Sequence, residues 1–318
     1  MTVQTVIQKF HPSRKFLILL GLLTIFLVLA SIAQALIILP FIGIENIHNA
    51  FSGMGNYSDP NLITGLKMAQ AVGAVLTFIV PAFIFAWFCS EEKLNYLKIN
   101  KSFSFLAGLL AIMLVFTAMP LINWLGELNS NLKLPAFLSE LENSIKNSEE
   151  SLKKVMDAFL KMDGVLDFII NVIIIALLAA VGEELLFRGC VQNILLEWIK
   201  NKHVGIWITA IIFSALHFQF YGFLPRMILG VVLGYLYLWS GSLWLSILFH
   251  FFNNGMAVLF SYLISNDKIS KNAETIGSGD SPIYLVVVST VLSILLMIVI
   301  YKNSGESNLS QTEISENL

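Results

Sequence analysis

The chain has 318 residues, of which 57% are apolar and only 13% charged. An ordinary soluble domain carries about a quarter charged residues, and a water-soluble core of this size could not hide so much apolar surface behind so few charges. The same excess of apolar residues excludes intrinsic disorder, and a net charge of −2 with no basic run leaves no footprint for nucleic acid. What remains is a polytopic membrane protein, in line with a mean hydropathy of +0.78. Cys89 and Cys190 form neither a metal-ligand pattern nor a disulfide framework. Both sit in or beside apolar segments and read as reduced, buried thiols.

A hydrocarbon core about 30 Å thick takes roughly 20 helical residues to cross. The N-terminal segment, residues 1–15, carries Lys9, Arg14 and Lys15. The 29 uncharged residues between Lys15 and Glu45 form the first span, too long an apolar run for a cleavable signal peptide. Lys67 to Glu91, with Pro81, gives the second span, and Lys101 to Glu127, with Pro120, the third. Residues 126–164 form a long polar loop. Its apolar residues Leu138, Leu141, Ile145, Leu152, Val155, Met156, Phe159 and Leu160 recur at helical spacings, which predicts an amphipathic helix. The fourth span begins near Asp167 and runs into Glu183 and Glu184, and the fifth lies between Lys202 and Arg226. The next 40 residues, up to Asp267, hold no Asp, Glu, Lys or Arg. They break at Ser240-Gly241-Ser242 into spans six and seven. Asp280 to Lys302 gives span eight, and the polar tail, residues 302–318, reads as disordered. The expected fold is therefore all-α, a membrane bundle of about eight helices, since helices satisfy their own backbone in lipid. No short alternating strands support a closed barrel. The chain divides into the N-terminal segment, residues 16–164 with three spans and the loop, a membrane domain over 165–301, and the tail.

Basic residues orient this bundle. With the N-terminus inside, the inner segments carry 10 Lys or Arg and the outer ones 9, of which the long loop supplies 5. Long loops weigh little in orientation, so the balance favours both termini on the inner side of a cytoplasmic membrane.

An ionised group at mid-bilayer costs about 2.5–3.5 kcal/mol even on the lenient insertion scale, so such residues default to function. Four such patterns occur. They are Glu183-Glu184-Leu-Leu-Phe-Arg188, Phe213-Ser-Ala-Leu-His217, His250-Phe-Phe-Asn253-Asn254, and the polar stretch from Gln219 to Arg226. Glu184 and Arg188 are four apart and share a helix face as an ion pair. Glu183 is turned about 100° away and is left free for general-base work. Phe213 stacks on the face of His217, and His250 and Asn254 project side by side. Each pattern alone fits a structural hydrogen bond within the bundle; three together on three apolar helices do not. No His-Glu-x-x-His zinc helix and no Gly-x-Ser-Gly sequence is present. Gly277-Ser-Gly-Asp280 falls in a polar loop with no second intramembrane aspartate.

The ordered set Glu-Glu-x-x-x-Arg, Phe-x-x-x-His and His-x-x-x-Asn resembles the CPBP family, the type II CaaX prenyl proteases and the bacteriocin-processing and self-immunity (Abi) proteins. All three motifs stand without a departure, and the resemblance covers residues 165–262. It implies an eight-helix intramembrane endopeptidase acting on a membrane-associated protein or peptide. Glu183 and His217 would activate water, His250 and Asn254 would support the oxyanion, and Glu184, Arg188 and Phe213 would shape the site. The family is commonly called metalloprotease, and Glu183, His217 and His250 would be the ligands of a zinc ion with an open fourth position. The sequence does not choose between zinc and a metal-free glutamate mechanism. A non-catalytic immunity or scaffold protein that binds a peptide or membrane partner is the alternative. A transporter would need charge-bearing broken helices in both halves. The sequence carries no mark of oligomeric state.

Overall fold

The computed structural model describes residues 7–51 and 54–316, so the first six residues of the N-terminal segment and the last two of the tail lie outside the described residues. Regular structure among the described residues is helical throughout, with no strand. Seven helices are long and apolar enough to cross a membrane: α1 Pro12–Ile42, α2 Pro60–Cys89, α3 Phe105–Ser130, α5 Val165–Ile199, α7 Phe223–Ser240 within the apolar stretch Phe220–Ser240, α8 Leu243–Ser265 and the Ile283–Ser304 part of α9. Helix α4, Ser139–Leu160, lies between α3 and α5, and the short α6 spans Lys202–Ala215. These helices fit a multi-pass integral membrane protein. The last helix continues to Glu316, through the polar residues that read as an irregular tail.

Local chemistry fixes where the helices start. Asp59 accepts from Asn61 N ahead of Pro60, Ser104 from Ala107 N, Asn201 from His203 N and Val204 N, and Ser242 from Trp244 N. Each side chain satisfies a backbone donor that the first helical turn leaves open. Gly241, at φ 65°, ends α7 in the left-handed conformation and makes the break expected at Ser240-Gly241-Ser242. At Pro120 the α3 ladder is interrupted. The Ser289 hydroxyl of α9 enters the gap, donating to Thr117 O and accepting from Leu121 N, so the broken ladder also joins the two helices.

Helix α5 is the centre of the bundle. Residues 184–192 are all buried, and Leu186, Phe187, Cys190 and Ile194 pack into a core with Phe85, Leu97, Phe213 and Tyr237. Both cysteines are buried and unpaired. Two π-helical stretches, Val172–Leu178 and Phe187–Gln192, flank the Glu183-Glu184 pair.

Two boundaries differ from the sequence reading. The fourth span does not stop at Glu183 and Glu184 but runs 35 residues from Val165 to Ile199, because Glu184 is neutralised inside the bundle and need not reach water. The fifth apolar helix stops at Ala215 after 14 residues, about 21 Å at 1.5 Å per residue, and Arg226 belongs to the helix that follows. Together these changes set the depth of the site. Chain reversal at Lys200 and Asn201 makes α5 and α6 an antiparallel hairpin, and Glu183 lies within one residue of being as far before that turn as His217 lies after it.

Candidate active site

Glu183 and Glu184 point to different sides of α5, and their surroundings differ accordingly. Glu184 Oε1 accepts from Arg188 Nη1 at 2.8 Å, and both side chains are 0% exposed. Arg188 also donates through Nη2 to Gly230 O on α7 at 2.9 Å and stacks on the Phe213 ring, 4.8 Å from its centroid. Gln192, one turn further, donates to Gly234 O at 3.0 Å. Space for a side chain is shortest at Gly234 and tight at Gly230. A Cβ on Gly234 would lie 2.8 Å from Ile206 Cγ2, and one on Gly230 would lie 3.1 Å from Ala210 Cβ.

Glu183 faces a cavity instead. Its carboxylate Oε2 lies 3.8 Å from His217 Nε2 and 3.7 Å from His250 Nε2. The opposite nitrogen of each ring is tied. His217 Nδ1 lies 2.7 Å from Phe213 O, and since a carbonyl only accepts, Nδ1 carries the proton. His250 Nδ1 lies 2.9 Å from Glu184 Oε1 and donates to that carboxylate. In the neutral form of each ring Nε2 is then a lone pair turned towards Glu183. Phe213 sets the rings from below, with edge-on contacts at 4.9 Å to His217 and 6.1 Å to His250.

The cavity holds about 250 Å³ and is lined by Glu183, Phe213, His217, His250 and Asn254, together with Gly222, Pro225, Arg226, Leu229, Leu233, Phe249 and Asn253. Every residue expected to do chemistry reaches this one space, while Glu184 and Arg188 stand behind it, fully buried. Asn254 Nδ2 makes a long 3.4 Å hydrogen bond to Ile175 O and accepts at Oδ1 from Asn253. Two of the polar lining residues, Asn253 and Arg226, carry no role in the sequence reading. The signal for Arg226 was the unusual polarity of the stretch from Gln219 onward, which showed a polar site without showing that it folds back beside His217. Among the described residues no three His, Cys, Asp or Glu side chains are grouped so as to hold a metal ion.

Residues 165–256 match the family model for the type II CAAX prenyl endopeptidase Rce1-like proteins. Over 85 residues the chain is 34% identical to the uncharacterized protein YpbD of Bacillus subtilis (strain 168), a match covering 26% of this chain and 40% of that protein. The chain thus spans about two fifths of the curated relative's length. No solved structure matches the chain. The matched segment contains the three motifs and both histidines of the cavity, and it begins with the central helix α5. A CPBP/Rce1-like CaaX protease family domain is thus detected over residues 165–256.

Proposed function

We propose that the protein is an intramembrane endopeptidase that hydrolyses a peptide bond in a membrane-associated protein or peptide. The observation that carries this reading is the convergence of two imidazole Nε2 atoms on one carboxylate oxygen, at 3.7 and 3.8 Å. Both distances exceed a direct hydrogen bond, and both suit a water whose oxygen sits about 2.8 Å from two acceptors at once. Such a water donates one hydrogen to Glu183 and the other to a histidine. Glu183 takes the proton as general base, the water oxygen attacks the carbonyl carbon, and the proton passes on to the departing nitrogen.

His217 orients the water through its Nε2 lone pair, and His250 Nε2 stands on the other side of the same carboxylate oxygen. The Glu184 carboxylate and the Phe213 carbonyl hold the two rings in that tautomer. Asn254 offers an amide donor to the oxygen that becomes negative. Since His250 presents an acceptor in this state, it donates to an oxyanion only after gaining a proton. No step here runs through a metal ion.

In the membrane the termini face the cytoplasm, the short α6 pairs with α7 and completes eight membrane-embedded helices, and α4 lies along the outer surface. The test is cleavage of membrane-spanning reporter peptides by the full-length protein in proteoliposomes, with products read by mass spectrometry. Wild type yields one defined cut that Glu183→Gln abolishes. Equal behaviour of wild type and Glu183→Gln would remove the endopeptidase reading and leave a peptide-binding immunity or scaffold protein. Chelators added to the same assay leave the rate unchanged on the glutamate mechanism; loss of activity restored by zinc would replace it.

A further inference from the structure

Arg226 lines the same cavity as Glu183, His217, His250 and Asn254. It stands in the first turns of α7, just past the loop that leaves His217. Its Nη2 donates to Gln219 Oε1, which holds the guanidinium over Gly222, where an added Cβ would lie 3.0 Å from Nη2. Its Nη1 is buried and has no hydrogen-bond partner among the described residues. Nor is any carboxylate among them within ion-pair distance of it. A guanidinium keeps its proton and can only donate. A buried donor of this kind, held through Nη2 and unpaired at Nη1 beside the cavity, is suited to an acceptor that arrives with the substrate.

We propose that Arg226 is a further catalytic residue, whose Nη1 binds the oxyanion formed when the scissile carbonyl is attacked. The assignment rests on the endopeptidase reading above. Charge accounting leads to it. In the resting cavity Glu183 is the anion and Arg226 the cation, while Glu184 and Arg188 neutralise each other behind it. When water attacks, one O–H bond breaks and its proton goes to Glu183 Oε2. The water oxygen forms the new bond to carbon, and the carbonyl π pair moves onto the carbonyl oxygen. The negative charge has then passed from Glu183 to the oxyanion, and Arg226 is the cation left to meet it. On collapse the carbonyl re-forms, the C–N bond breaks, and Glu183 returns its proton to the nitrogen. His250 presents an acceptor in the resting tautomer, so Asn254 alone would face the oxyanion, and Arg226 supplies a second donor. A contact made only in the transition state acts on kcat and leaves KM alone.

The experiment measures kcat and KM for a membrane-spanning reporter peptide in proteoliposomes of wild type, Glu183→Gln, Arg226→Lys, Arg226→Gln and Arg226→Gly, with melting temperatures for each. Arg226→Gln is expected to lower kcat by about 10²–10³-fold, the effect of losing one oxyanion donor, with KM unchanged. Arg226→Lys recovers part of the rate, and millimolar guanidinium ion restores Arg226→Gly. Unchanged kcat in Arg226→Gln overturns the assignment, as does a raised KM at constant kcat, which would make Arg226 a ground-state anchor. A folded Arg226→Gly with no guanidinium rescue overturns it too. If Arg226→Gly does not fold, an Arg226→Lys rate no better than that of Arg226→Gln does the same. Wild type as inert as Glu183→Gln would instead sink the endopeptidase reading itself, and this assignment with it.

Discussion

His250 Nδ1 and Glu184 Oε1 stand 2.9 Å apart, and that same oxygen takes the 2.8 Å hydrogen bond from Arg188. The carboxylate therefore serves two partners on two helices. It neutralises the buried guanidinium within α5, and it sets the tautomer of an imidazole on α8 that faces the cavity. The ion pair is thus part of the site's geometry, one bond removed from the water it would orient. It is also what allows α5 to carry three charged residues through the middle of the bundle.

Removing one partner of a buried pair strands the other charge, at a cost of about 3–5 kcal/mol. Arg188→Ala also loses the hydrogen bond to Gly230 O and the stacking on Phe213. Folded protein recovered from membranes, read by size-exclusion chromatography, is expected to fall sharply in Arg188→Ala. In Glu183→Gln it should stay at the wild-type level, since Glu183 faces the cavity and is no part of that pair. Equal losses in the two variants would show that Glu183 is a structural residue as well.

Packing between α6 and α7 gives an independent test of the scaffold behind the site. A Cβ on Gly234 would meet Ile206 Cγ2 at 2.8 Å and Gln192 Oε1 at 2.9 Å, whereas one on Gly126 in α3 meets nothing within 4 Å. Overpacking of this kind costs about 1–3 kcal/mol, and Gly→Ala in an open helical position gains about 0.4–1 kcal/mol. Thermal unfolding in detergent should place Gly234→Ala below wild type and Gly126→Ala at or above it. The reverse order would mean that the helices do not approach at Gly234.

The i, i+4 relationships were legible in the sequence because helical spacing fixes them wherever the helix begins. Glu184 with Arg188, and Phe213 with His217, meet as the spacing requires. Depth was not legible. Counting uncharged residues ends a span at its first charge, so Glu183 and Glu184 read as a helix end. The tertiary contacts of Glu184 with His250, and of Arg188 with Gly230 O and Phe213, were needed to show that the helix continues. The same counting stretched the fifth span to Arg226, although the chain leaves the helix at Ala215 and passes Phe218 at φ 53°. Ending α5 at Glu183 and extending α6 to Arg226 pulled Glu183 and His217 apart along the bundle axis. The actual boundaries bring them level. The contact of His250 with Glu184 crosses 66 positions of sequence, and no local pattern encodes it.

The expected orientation, both termini inside, rests on the basic residues as the sequence spans sort them, 10 inner against 4 outer once the long loop is set aside. In a background with Cys89 and Cys190 replaced, single cysteines placed in α4 are expected to react with a membrane-impermeant maleimide added to intact cells. Cysteines after Lys302 should react only once the membrane is opened. The opposite pattern would invert the bundle and put the Lys200–Asn201 turn on the outer side.

Catalytic substitutions should separate by what each side chain touches. A general base contributes typically about 10²–10⁴-fold, so Glu183→Gln, His217→Ala and His250→Ala are each expected to lower kcat for the reporter peptide to the limit of detection, with peptide binding retained. Asn254 lines the cavity with a long hydrogen bond to Ile175 O, and Asn254→Ala should lose about 10²–10³-fold, the effect of one oxyanion donor. Phe213 touches no reacting atom but contacts both imidazoles, so it is a positioning residue. Phe213→Leu keeps an apolar filler while freeing the rings, and its kcat should fall with KM unchanged. Phe213→Tyr, which retains the aromatic edge, should recover most of the rate. If Phe213→Leu matched wild type in kcat, ring placement would not depend on Phe213, and the tautomer-setting bonds to the Phe213 carbonyl and Glu184 would suffice.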